Sequence, residues 1–180
     1  MGTASLTPPS ADTRALPRWH AECTTPFTHH NGMTVMSSYP HHYAASASAL
    51  REGNVALESP GLPALSTAPP AEFGGPGDHW SPETLCVGAV ANCFVLTFRS
   101  VARAAQLPWL SLRAEAVGTL DRVERSTQFT HFTLHAALEV PAGVSEGAAR
   151  AVLERAEQAC LIRNSLKGTS QLDVQIEVRA

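Results

Sequence analysis

From Leu85 to Leu96 every position but Asn92 is apolar or small, and the run opens on Ser81-Pro82-Glu83. Ser is a strong N-cap, Pro suits the first helical turn, and Glu complements the positive end of the helix dipole. A helix is therefore expected from Ser81 to about Gln106, where Leu107-Pro108 stops it. A helix apolar around its whole circumference is expected to be buried on every side. It should form the centre of the fold.

Other periods place the remaining elements. Tyr43, Ala45, Ala47 and Ala49 alternate, Arg51-Glu52-Gly53-Asn54 forms a turn, and Val55 to Leu57 returns. Residues 59–80 are rich in Pro and Gly and predict one long loop, a length that often carries function. Leu112 to Glu124 predicts a strand, followed by a Ser126-Thr127-Gln128 turn. Phe132, Leu134, Ala136, Leu138 and Val140 then alternate with Thr133, His135, Ala137 and Glu139, which gives one buried face. Ser145-Glu146 caps a second helix with Ala149, Val152, Leu153, Ala156 and Cys160 on its apolar face. Leu172, Val174, Ile176 and Val178 make a last strand. The order ββ-α-ββ-α-β predicts an α+β fold with a largely antiparallel sheet. Residues 1–38, rich in Thr, Ser, Pro and His, hold neither period and are expected to form a flexible tail before one domain over 39–180.

Composition then removes several classes. A formal charge of -3, with Lys and Arg scattered, gives no case for nucleic acid or an anionic membrane surface. No apolar run is expected to reach bilayer length. The first residues lack the pattern of a signal peptide. Four cysteines in 180 residues do not make a disulfide scaffold, so a reducing cytoplasm is the expected setting. His131 and His135 are about 13 Å apart along a strand, too far to clasp one metal.

The candidate chemistry lies in the thiols. A cysteine in mid-helix and apolar surroundings has a raised pKa and is inert unless a cation lies nearby. Arg51, at a turn, is the cation placed to reach Cys93, and Glu83 would orient it through a bidentate pair. Glu83 and Cys93 are ten residues apart, about 15 Å along one helix. A common site therefore needs Glu83 from a second chain. Cys160, at a helix C-terminus, is a poor first nucleophile but suits a resolving role. Each thiol is also explained by plain core packing, and Glu83 by helix electrostatics alone. Cys86, about 10 Å from Cys93, is too far for a disulfide and is expected in the core.

Taken together, these residues resemble the OsmC/Ohr family, the osmotically inducible and organic hydroperoxide resistance proteins, over about His41 to Val178. The carriers are Ser81-Pro82-Glu83, Cys93 ten residues after the Glu, and Cys160 at the end of the last helix. The Pro69–Pro76 loop, Arg122 with Phe129-Thr130, and Asn164-Ser165-Leu166 support it. The resemblance implies an intertwined homodimer with shared sites. It implies a peroxidatic Cys93, a resolving Cys160, and Arg51 and Glu83 completing the site. It further implies reduction of organic hydroperoxides in an oxidative stress response, with an external dithiol, of the lipoyl type in many members, and no bound cofactor or metal. The tail before residue 39, Cys86 and the longer Pro/Gly loop depart from the family pattern, and the loop is closer to OsmC-like members than to the hydroperoxide resistance proteins proper. Phe73, Trp80, Phe94, Phe98 and Trp109 would shelter an alkyl chain, unless they are ordinary core. Two readings without turnover stand beside the enzyme: a dimer that binds an apolar ligand, and a redox sensor.

Overall fold

The computed structural model describes residues 39–180; the expected tail, with Cys23, lies outside them. A first sheet is built from β1 (Ser46–Ser48), β2 (Val55–Glu58) and β3 (Leu65–Thr67), antiparallel in that order. The chain then enters the long helix α1 (Pro82–Ala104). A second sheet follows, of β4 (Ser111–Val123), β5 (Ser126–Pro141) and β6 (Thr169–Arg179), with α2 (Glu146–Gln158) and the short α3 (Leu161–Asn164) between its last two strands. β4 and β5 are antiparallel, whereas β5 and β6 are parallel. A parallel pair needs a crossover, and α2 and α3 supply it. The fold is thus α+β and mostly antiparallel, as the sequence predicts.

Three local expectations are corrected. The Pro/Gly segment holds β3 and a turn of 3-10 helix at Ala71–Phe73. Leu65-Ser66-Thr67 alternates too briefly to stand out, and its strand is made by pairing with β2. The hairpin between β4 and β5 turns at Glu124-Arg125, not at Ser126-Thr127-Gln128. Glu124 takes a left-handed φ of 58°, which lets a two-residue loop close while Ser126 already pairs with Val123. Finally α1, with a window of mean hydropathy 1.7, is long and apolar enough to cross a bilayer by length and composition, contrary to the sequence expectation.

Helix α1 begins as its cap residues dictate. Ser81 Oγ accepts from the Thr84 amide, and Thr84 Oγ1 accepts in turn from the Ser81 amide at 2.8 Å. Its buried stripe is Val90, Phe94, Phe98 and Ala102, spaced by four. That stripe packs with Phe132, Leu134, Ala136, Leu138 and Val140 of β5 and with Ala149, Val152, Leu153 and Ala156 of α2. Burying each large side chain contributes about 1.5–3 kcal/mol. The expectation of burial on every side fails within one chain. Ala89 and Asn92 are exposed, and Leu96 is 53% exposed. α1 packs tightly on the sheet at Gly118 of β4, where an added Cβ would lie 2.7 Å from Val87 Cγ2 and 2.8 Å from a Phe129 ring carbon.

Candidate active site

Cys93 projects from the middle of α1 and is half-buried; Cys160 is fully buried. The two thiols lie close enough for each to shift the other's ionisation, and both are free. Cys160 does not simply end a helix. α2 stops at Gln158, and Cys160 is the N-cap of α3. Its neighbours Leu161 and Ile162 therefore direct their free first-turn amides toward Cys93. The sequence expectation of a helix C-terminus for Cys160 is corrected by this second start.

The two thiols differ in acidity. Burial pushes Cys93 up, but the Ile162 amide, the Cys160 thiol, the Thr97 hydroxyl and the Leu161 amide together outweigh it. The net pKa lies below the ordinary thiol value. Thr97 is four residues on, with its Oγ1 at 3.9 Å from Sγ. Burial pushes Cys160 up to about 11, with the Arg163 amide opposing and the neighbouring Cys93 adding to the rise. Hydrogen-bond donors stabilise a thiolate much as a cation does. Cys93 is therefore acidified without the cation that the sequence reading required.

Arg51 and Glu83 lie elsewhere in the chain. Arg51 is exposed in the turn between β1 and β2, makes no ion pair among the described residues, and takes no part in the ionisation of Cys93. Glu83 sits in the first turn of α1. Its Oε2 is buried without a hydrogen-bond partner among the described residues. A buried orphan carboxylate oxygen is costly, and a guanidinium is its natural complement. The structure thus joins Cys93 to Cys160 and separates both from the Glu83 end of the helix.

Glu83 lines a cavity of about 800 Å³ between the start of α1 and the β4–β5 hairpin. Phe73, Trp80, Val87 and Phe129 give it an apolar wall, and Asp121 and Arg122 a charged rim. Neither thiol lines it. Of the aromatic residues expected to shelter an alkyl chain, Phe73 and Trp80 line this cavity, whereas Phe94 and Phe98 are fully buried core and Trp109 packs edge-on to Phe98. Cys86 is half-buried, with its pKa raised by burial. Among the described residues no group of three His, Cys, Asp or Glu side chains is placed to hold a metal.

Sequence reasoning missed Thr97, Leu161, Ile162 and Arg163. Thr97 was legible as the residue one turn beyond Cys93. The amides were not, because their direction depends on a four-residue helix with no periodic signal. Arg163 donates from Nη1 to the Leu166 carbonyl and keeps a buried Nε without a partner among the described residues.

Comparison with known proteins gives consistent matches. Residues 75–175 match the model of the family described as OsmC-like protein. The chain is 22% identical over 113 residues to the uncharacterised protein YmaD of Bacillus subtilis, covering 61% of this chain and 75% of that one. It is similar to the organic hydroperoxide resistance protein OsmC of Legionella pneumophila, with a TM-score of 0.60 and 26% identity over 79% of this chain and all of that one. An organic hydroperoxide resistance protein from Elizabethkingia anophelis, with thiocyanate bound, shares the fold at a TM-score of 0.65 and 21% identity, covering 79% of this chain and 100% of that one.

Proposed function

The chain belongs to the OsmC-like family, and from that premise we propose that it is a thiol-dependent peroxidase that reduces organic hydroperoxides to alcohols. One observation carries the proposal: an acidified, half-buried Cys93 beside a fully buried Cys160 held as the thiol. The Cys93 thiolate attacks the distal oxygen of ROOH. The O–O bond breaks, the sulfur becomes a sulfenic acid, and the alkoxide takes a proton to leave as ROH. Cys160 then attacks the sulfenic sulfur, which expels water and forms the disulfide. An external dithiol, of the lipoyl type in this proposal, reduces the disulfide and is itself oxidised. No bound cofactor enters these steps.

The remaining half of the site would come from a second chain. Glu83 is too far along α1 to serve its own Cys93 and has a buried oxygen without a partner among the described residues. The open side of α1 around Leu96 would pack on the partner helix. Each site in the resulting homodimer would combine Cys93 and Cys160 with Arg51 and Glu83 of the partner, with Arg51 pairing to Glu83 and facing the thiolate. A cytoplasmic, reducing setting suits this cycle, because the resting thiols must stay reduced. Purified protein should consume cumene hydroperoxide when a dithiol is present. A Cys93→Ser variant with full turnover contradicts the proposal.

A second reading rests on the cavity at Glu83. Its volume, apolar wall and separation from the thiols also suit an apolar ligand bound without turnover. That reading predicts saturable binding of a fluorescent fatty acid, unchanged in Cys93→Ser, with no dithiol-dependent loss of peroxide.

A further inference from the structure

The chain bends between α2 and α3 at Cys160, and the hydrogen bonds of that elbow decide which donors are left for Cys93. In a helix each amide donates to the carbonyl four residues earlier. Had α2 run on through Cys160, the Leu161 amide would go to the Glu157 carbonyl and the Ile162 amide to the Gln158 carbonyl. Instead α2 ends at Gln158, and Cys160 is extended, with φ -68° and ψ 108°. Other donors claim both carbonyls. The Cys160 amide donates to the Glu157 carbonyl at 3.2 Å. Asn164 Nδ2, reaching back across the elbow, donates to the Gln158 carbonyl at 2.8 Å. A carbonyl only accepts, so the side-chain nitrogen is the group that faces it. Asn164 is itself anchored in α3, its backbone amide donating to the Cys160 carbonyl at 3.0 Å. The Leu161 and Ile162 amides are thereby left free for the sulfur of Cys93.

We propose that Asn164 is a positioning residue for Cys93: its side-chain amide takes the place of the Ile162 amide at the end of α2, and so keeps the first turn of α3 aimed at the Cys93 sulfur. This deepens the peroxidase reading above and rests on its Cys93–Cys160 site. The groups that bear on Cys93 are Thr97 from its own helix and, from the elbow, the Cys160 thiol and the Leu161 and Ile162 amides. Burial opposes the thiolate most, and the Ile162 amide is the strongest of the groups that favour it. Ile162 is also the residue whose helical acceptor Asn164 occupies. Without that side chain, the Gln158 carbonyl becomes an orphan acceptor at a helix end. The Ile162 amide is the donor that a continuing helix would send to it. Once that amide turns back to Gln158, the thiolate loses a hydrogen bond and forms less readily. Ser165 gives the contrast. Its Oγ donates to the Leu161 carbonyl at 2.9 Å, and that bond does not involve Gln158.

The pH profile of Cys93 alkylation by iodoacetamide, read by peptide mapping on the full chain, tests this. Asn164→Ala removes the donor at an exposed position where alanine suits a helix. Asn164→Leu removes it and keeps the bulk, and Ser165→Ala is the comparison. Both Asn164 variants should reach the alkylation plateau at higher pH than wild type and react about threefold more slowly at pH 7. Oxidation of Cys93 by cumene hydroperoxide should slow in the same proportion. Ser165→Ala should keep the wild-type profile. A wild-type profile in either Asn164 variant, even with a lowered melting temperature, overturns the positioning role and leaves the peroxidase reading intact. So does an equal shift in Ser165→Ala, because a general loosening of α3 then suffices. If the alkylation shift is present but peroxide does not oxidise Cys93 in wild type, the peroxidase reading falls and the role of Asn164 stands.

Discussion

Cys93 and Cys160 are chemically alike and are made unlike by what surrounds them. Amide and hydroxyl donors favour the Cys93 thiolate, whereas full burial keeps Cys160 a thiol. Lowering the pKa of an acid means that its charged form persists to lower pH. The alkylation rate of Cys93 should therefore rise and reach its plateau at a lower pH than an ordinary thiol, and Cys160 should stay unlabelled at pH 7. Peptide mapping after brief iodoacetamide treatment reads both outcomes. Thr97→Val removes one of the donors, so it should move the Cys93 profile to higher pH and slow alkylation at pH 7 severalfold. The sequence sets the two thiols in unlike surroundings and leads to the expectation that Cys160 resolves. It does not show how Cys93 is acidified, because backbone amides have no residue type to recognise.

The same division between legible and hidden appears in the elements. The alternation from Phe132 to Val140 and the face from Ala149 to Ala156 predict buried positions that are buried in the structure. Each follows from a period that the local chain sets by itself. β3 and α3 are hidden because three or four residues cannot display a period, and pairing or packing decides them. The cap of α1 is legible at Ser81, and Ser81→Ala should cost about 1 kcal/mol in denaturant unfolding. Gly118 is not legible as a contact. Its Cβ would press on Val87 and Phe129, so Gly118→Val should cost about 1–3 kcal/mol and close part of the Glu83 cavity.

Over the whole molecule, the apolar helix is the feature whose meaning changes most. Its composition predicts burial on all sides, yet one chain covers only the stripe from Val90 to Ala102. In the proposed dimer a second copy would cover the open side near Leu96 and bring its Glu83 to Cys93. Sedimentation should give a dimer. Co-expressed Arg51→Ala and Cys93→Ser chains should also recover up to about half of wild-type turnover per hybrid dimer, since one complete site is rebuilt across the interface. Neither variant alone should approach that. The central claim is narrower: peroxide joins Cys93 to Cys160. Its most direct test is intact mass with disulfide mapping after one equivalent of cumene hydroperoxide and no reductant. The account predicts the loss of two hydrogens, a Cys93–Cys160 linked peptide, and in Cys160→Ser a gain of one oxygen on Cys93 instead. An unchanged wild-type mass after peroxide would contradict it.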